Sequence, residues 1–248
     1  MSPSPGRRLA RLSRDLAEEV AALGFGPPVA VVLHPVLHAW ELHRRYCERF
    51  AREGVEALLL GMNPGPWGMV QTGVPFGEVA AVRDWMGLRG RVEAPPAEHP
   101  KRPVLGLACP RSEVSGRRLW GWARERFGRP EAFFERFFVW NWCPAAFLEE
   151  SGRNLTPDRL PAAARAPLEE ACDRALAEAV ALLRPRRVLG VGAYARRRAR
   201  SALGPDGPPV GGLLHPSPAS PAANRGWQTQ AEAQLREQGL RLPDGATA

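Results

Sequence analysis

The sequence predicts an α/β fold: a three-layer α/β/α sandwich around a central, mainly parallel four-stranded sheet. Three observations lead there. Short, mostly apolar runs at 55–60, 137–140, 187–191 and 210–214 alternate with stretches of helical periodicity, the pattern of parallel strands covered on both faces. Two of these runs end in loops rich in glycine and proline, Gly61 to Gly77 and His215 to Pro221. A buried parallel strand ends this way when the loop at its carboxyl end holds a ligand. Finally, 248 residues suit one domain spanning 1–248; a domain of this size buries about 75% of its unfolded surface and needs no staples.

The elements follow in order. Residues 1–6 are expected to form a flexible leader and 243–248 to fray. Residues 7–23 and 35–52 carry helical periodicity, separated by the breaker Gly24-Phe25-Gly26-Pro27-Pro28. Strand 55–60 feeds the first Gly/Pro loop, and residues 78–88 read as a helix beside the end of that loop. Residues 89–103 are a proline-rich loop. Helices are expected at 113–127 and 130–135, then a short aromatic strand at 137–140 that ends at Asn141. Residues 144–160 read as an irregular connection. A long helix spans 162–183, its true start set near Pro167, since proline suits a first helical turn. Strand 187–191 leads through Gly192 into a basic helix, 194–203. Strand 210–214 and the second Gly/Pro loop precede a closing helix, 224–238. There are no internal repeats.

Composition narrows the function classes. The net charge is +8 and the pI about 10.5, which favours a polyanionic partner. An arginine-rich coding bias, as in a GC-rich bacterial genome, accounts for the excess equally well, because Lys101 is the only lysine. The four cysteines, Cys47, Cys109, Cys143 and Cys172, are far apart and form no CxxC. They read as buried free thiols in a reducing compartment, not as metal or iron–sulfur ligands. No secretory or membrane-spanning run is present, and the expected location is the cytoplasm.

Two polar side chains stand at strand tips. Asn63 follows the first strand, and it is the one side chain in the first half of its loop with strong two-way hydrogen-bonding capacity. His215 follows the last strand, in a loop stiffened by alternating prolines. The two loops are expected to face each other across a crevice. Outside this setting Asn63 before Pro64 would be an ordinary turn residue, and His215 a histidine bonded to backbone at a strand end.

The pair resembles the single-strand-selective monofunctional uracil-DNA glycosylases, a branch of the uracil-DNA glycosylase superfamily. Gly61-Met62-Asn63-Pro64-Gly65-Pro66-Trp67-Gly68-Met69-Val70-Gln71-Thr72-Gly73-Val74-Pro75-Phe76-Gly77-Glu78-Val79 is similar to that family's first motif, and His215-Pro216-Ser217-Pro218 with Asn224-Arg225-Gly226-Trp227 to its second. The likeness extends through Pro100 to Leu107, Ser112 to Gly116, Asn141 with Cys143-Pro144, and Ser151 to Pro157, covering roughly 27–240.

The resemblance implies a hydrolase of base excision repair that flips a base out of DNA and cuts its N-glycosidic bond. Its substrates would be uracil and 5-hydroxymethyluracil, in single- or double-stranded DNA. His215 would stabilise the departing uracil anion at O2 as an oxyanion hole does. Asn63 would orient the attacking water, since an amide cannot deprotonate it. Met62, Gly65, Phe76 and Asn141 would bind the base: Asn141 reading its O4/N3 edge, Phe76 stacking on its face, and Gly65 leaving room near C5. Strict uracil enzymes of the superfamily carry tyrosine at that position, which blocks the thymine methyl. A water left beside Gly65 would be replaced by a hydroxymethyl group and only expensively by a methyl.

Pro216, Ser217, Pro218, Ala219 and Ser220 would form the wedge that enters the duplex, with Arg225 on phosphate. Animal members carry arginine where this chain has Ala219, which implies a weaker hold on the abasic product and weaker action on duplex. The arginines at 196, 197, 198 and 200 are either a phosphate-contacting face or a solvated one, and Trp227 is read as packing. Lys101 lies in a proline-rich loop, away from any strand tip, so no amine is placed to form the Schiff base of a bifunctional glycosylase. No metal, cofactor, membrane or obligatory protein partner is implied. Two other readings remain open at this level: a broader glycosylase acting on hypoxanthine or xanthine, and a damage-binding DNA module without catalysis.

Overall fold

The computed structural model describes residues 3–243. Helix α1 (Pro5–Ala21) opens the chain, with the Ser4 hydroxyl capping it and Pro5 in its first turn. Residues 5 and 6 are therefore helical rather than leader. Residues 1–2 and 244–248, expected to be loose, lie outside the described residues.

Four strands, β2 (Ala57–Gly61), β3 (Phe137–Asn141), β6 (Val188–Val191) and β7 (Val210–Leu213), form the central sheet. Their order is β3-β2-β6-β7 and every pairing is parallel. Strands β2, β3 and β6 are buried along their whole length, as expected of strands covered on both faces. Helices α5 (Val114–Phe127), α7 (Ala162–Leu183) and α8 (Ala193–Leu203) sit close to the expected bounds.

Several further expectations need correction. The stretch 35–52 is broken at Ala39 into α2 (Pro35–His38) and α3 (Trp40–Phe50). The break lets two buried histidines reach separate carbonyls of the first loop: His38 Nε2 donates to Val70 at 2.8 Å and His43 Nδ1 to Gly73 at 2.7 Å. The expected helix 78–88 is a shorter π-type turn, Ala81–Trp85. Residues 144–160 are not irregular. They hold β4 (Ala146–Leu148) and β5 (Asn154–Leu155), which join β1 (Val31–Leu33) in a small antiparallel sheet. Strands of two or three residues are too short for period-2 alternation to show. Finally, α7 begins at Ala162, five residues before Pro167. Alanines carry the helix, and exposed Ala163, whose carbonyl lacks the proline's donor, is open to water.

The closing helix is also divided. Short helices α4 (Met69–Thr72) and α6 (Pro130–Phe134) flank the sheet, and α9 (Pro221–Asn224) is separated from α10 (Trp227–Glu237) by Gly226 at φ 103°. That left-handed residue turns Trp227 inward. The core is strongly aromatic: Tyr46, Phe50, Phe134 and Phe138 stack between α3, α6 and β3. The Tyr46 hydroxyl donates to the Val139 carbonyl at 2.7 Å, so its polar tip is satisfied.

Candidate active site

Chain order reverses between β2 and β6, and the carboxyl ends of the strands meet a cleft there, where a doubly wound sheet places its ligand site. The cleft has a volume of about 500 Å³. Met62, Asn63, Gly65, Phe76, Asn141 and His215 all line it, together with Ser217 and Pro218 of the second loop. Pro216, Ala219, Ser220 and Arg225 do not.

The two central tips are held in register beyond the strands. Trp142 N donates to Gly61 O at 3.0 Å and Cys143 N to Met62 O at 2.8 Å, so Asn63 and Asn141 sit at a fixed separation. A side chain on Gly61 would collide with the Asn141 amide oxygen and lie 2.8 Å from the Phe76 ring. Glycine there is required for Phe76 and Asn141 to meet. Phe76 itself holds a left-handed backbone, φ 53°, rare for a bulky residue. Its carbonyl is gripped by Trp120 Nε1 at 3.0 Å and Glu78 N at 2.7 Å. Gly116 on α5 lets the helix backbone press against that same carbonyl.

His215 is the most constrained of these residues. The Ser217 backbone N–H donates to its Nδ1 at 3.1 Å, so Nδ1 is the acceptor and the proton of the neutral ring is on Nε2. Burial lowers its pKa from 6.5 to about 4, which keeps the ring neutral at physiological pH. From behind, α10 fixes the preceding residue: Trp227 Nε1 donates to Leu214 O at 2.7 Å, and Leu214 N donates to Gln234 Oε1 at 2.7 Å. Trp227 is buried, so it packs and positions, as the sequence suggested. Gly192, after β6, has φ 94°, and a Cβ there would lie 3.3 Å from His215 Cβ. Its missing side chain leaves space for the histidine to lean toward Phe76, whose ring centroid is 5.9 Å away.

Both asparagines present unused hydrogen-bonding atoms. Asn63 Nδ2 and Asn141 Oδ1 are buried with no hydrogen-bond partner within the protein. The Asn141 amide nitrogen rests on Met69 Sδ at 3.2 Å, a weak acceptor. Unpaired buried groups of this kind cost about 1–3 kcal/mol each, so each calls for a partner or an explanation.

The second loop is pre-shaped. Arg118 of α5 donates to Pro216 O at 3.2 Å, Ser217 O at 3.3 Å and Asn224 Oδ1 at 2.9 Å. Asn224 Nδ2 in turn donates to Pro218 O at 2.9 Å. The Ser220 hydroxyl caps α9 through Ala223 N, so its oxygen already has an internal partner. Of the arginines on α8, Arg198 is tied to Glu169 and Asp173 and lies over Trp142; it braces the fold and does not offer a free face. Lys101 does not line the cleft, and its ammonium sits 3.4 Å from the Ser151 carbonyl.

The cleft also holds residues to which the sequence alone gave no role. Glu113 at the head of α5 is one; burial lifts its carboxyl pKa from 4.5 to about 7, against the Gly68 amide. Asn154 and Thr156, brought in by β5, are others. Trp67 lies on the rim with the Arg111 and Arg102 guanidiniums 4.8 and 5.2 Å from its ring. Their only sequence signal was membership in the matched stretches.

The chain that builds this cleft has known relatives. The chain matches the Uracil DNA glycosylase superfamily over residues 48–237 and belongs to it. Within that class its relatives are specific. It is 56% identical over 227 residues to the single-strand selective monofunctional uracil-DNA glycosylase of Rattus norvegicus, covering 91% of this chain and 82% of that one. It is 53% identical over 247 residues to the Bos taurus protein of the same name, covering 97% and 91%. The crystal structure of wild-type SMUG2 from Pedobacter heparinus shares the fold, with a TM-score of 0.63 at 15% identity over 92% of this chain and 97% of that one.

Proposed function

We propose that this protein is a monofunctional DNA glycosylase. It hydrolyses the N-glycosidic bond of uracil and 5-hydroxymethyluracil and leaves an intact abasic site. The observation that carries the reading is His215: a neutral ring with its proton on Nε2, facing a cleft that also holds the unpaired atoms of Asn63 and Asn141.

The flipped base stacks on Phe76, and base–aromatic stacking is worth about 1–3 kcal/mol. The free Asn141 Oδ1 accepts from N3–H, and its amide N–H donates to O4. Cytosine presents the opposite pattern and leaves those groups unpaired. As the bond between C1′ and N1 breaks, its electron pair passes to the base. His215 Nε2–H then donates to O2, and this contact strengthens as charge develops. Asn63 holds a water against C1′; its oxygen bonds to the sugar and its released proton neutralises the uracil anion. Lys101, the only lysine, is away from this chemistry, so no strand cleavage follows.

Ser217 and Pro218 at the cleft mouth enter the space of the flipped nucleotide, with Pro216, Ala219 and Ser220 shaping the tip and Arg225 contacting phosphate. One domain carries the whole activity. Among the described residues no helix is long and apolar enough to cross a membrane, and four buried free thiols suit a reducing cytoplasm.

The test is release from oligonucleotides carrying uracil, 5-hydroxymethyluracil, thymine, hypoxanthine or xanthine, each single-stranded and paired, with and without alkali. Cleavage only after alkali, at uracil and 5-hydroxymethyluracil, is the expected result. Release mainly from the purines would overturn the role given to Asn141. No release at any base would reduce the protein to a damage-binding module.

A further inference from the structure

The base cleft contains one ionisable side chain that this mechanism does not use. Glu113 occupies the N-cap position of α5, yet its side chain makes no capping bond. Its carboxyl turns over the first loop instead. A Cβ at Gly65 would collide with Glu113 Oε2, and one at Gly68 would lie 2.7 Å from it. The carboxyl therefore fills the volume that a side chain at position 65 would take. It lines the same cleft as Phe76, Asn141 and His215, and its Oε2 is buried with no hydrogen-bond partner within the protein.

The edges of a bound pyrimidine assign what faces it. N1 carries the sugar, O2 is taken by His215, and N3 with O4 by Asn141. Only the C5–C6 edge is left for the wall at Gly65. We propose that Glu113 is the residue that reads the 5-position: it admits hydrogen or a hydroxyl-bearing carbon there and refuses a methyl. This rests on the pyrimidine reading above. A hydroxymethyl group both donates and accepts, so it pairs with Oε2 whether the carboxyl is protonated or ionised. Burial holds that carboxyl near pH 7 between the two states. A methyl offers neither bond and would exclude solvent from an oxygen left unpaired. Gly65 then matters because it lets the carboxyl approach, and the selectivity belongs to residue 113.

The experiment compares wild type with Glu113→Gln, Glu113→Leu and Glu113→Ala, each checked for folding by thermal melting. Single-turnover release is measured from single-stranded oligonucleotides with uracil, 5-hydroxymethyluracil or thymine at one position. In the Leu and Ala variants, release of 5-hydroxymethyluracil relative to uracil is expected to fall by roughly tenfold and that of thymine relative to uracil to rise by roughly tenfold. Glu113→Gln keeps the shape and a hydrogen-bonding tip, and is expected to retain the wild-type ranking. Unchanged ratios in a folded Leu or Ala variant would overturn the proposal, as would a parallel fall for all three bases in every variant, the mark of a merely structural contact. Absence of uracil release in the wild type would be a different failure, sinking the glycosylase reading and this one with it.

Discussion

Replacing His215 by alanine tests the mechanism most directly, because the structure fixes both what is lost and how it depends on pH. The ring is a neutral donor: Ser217 N occupies Nδ1, and burial holds the pKa at about 4. Losing one preorganised donor to a developing anion costs about 2.7–4 kcal/mol, which is roughly a hundred- to a thousandfold in rate. The pH profile separates this from cationic catalysis. With a pKa of about 4, about nine-tenths of the ring is still neutral at pH 5, whereas an ordinary histidine would be almost wholly protonated there. The release rate should therefore stay flat from pH 8 to about 5.5. The assay is single-turnover release of uracil in a Glu113→Gln background, which removes the carboxyl that titrates near 7. A rate climbing as pH falls through 6.5 would show that the imidazolium is the active form. A His215→Ala rate within about tenfold of the parent would show that the donor is not aimed at O2. Either result refutes the reasoning.

Asn63→Ala should lower kcat by roughly a hundredfold or more while leaving the affinity for a uracil-containing strand unchanged in a filter or anisotropy assay, because water orientation and not binding is removed. Arg118→Ala removes three bonds that brace the second loop; a loss of about 1 kcal/mol, seen as a Tm lower by roughly 2–4 °C, should accompany a rise in KM larger than the fall in kcat. Glu113→Gln should stabilise the protein at high pH. The folded pKa is raised from 4.5 to about 7, so the contribution of the carboxyl is fully present below 4.5 and is lost as pH rises through 7. The variant should exceed the wild type by up to about 3 kcal/mol at pH 8, and the gain should vanish near pH 4.5 in denaturant melts.

The strands and long helices were legible because each writes a local period. β3 announces itself as an aromatic run ending in Asn141, and α5 runs from the expected start almost to the residue. The small antiparallel sheet was not legible: β1, β4 and β5 are two or three residues long, and β1 is defined only by its pairing with β4, more than 110 residues away along the chain. The breaks at Ala39 and at Gly226 were missed for a related reason. Helical periodicity runs through both, although Gly226 is itself a poor helix former, and each break serves a tertiary demand, the anchoring of His38 and His43 on the first loop and the inward turn of Trp227.

The same division runs through the site. Residues proposed to touch the base or the water stand at strand tips inside glycine- and proline-rich loops, where composition already points to a ligand. Residues that aim them come from elsewhere in the chain: Gln234 and Trp227 behind Leu214, Arg118 beneath the second loop, Trp120 on the carbonyl of Phe76. Apart from Trp227, which lies in the second matched motif, none carries a local signature, because each acts through hydrogen bonds to residues distant in the chain. Glu113 is the sharpest case. In sequence it is one more acidic residue at a helix start, a place where a carboxylate ordinarily favours the helix dipole. In the folded chain it lies against Gly65, 48 residues earlier. The resemblance implies that the glycine leaves room near C5, and the space a side chain there would take is filled by the unpaired Oε2 of Glu113. The selectivity proposed for residue 113 therefore depends on a close approach that Gly65 permits, which neither residue alone reveals.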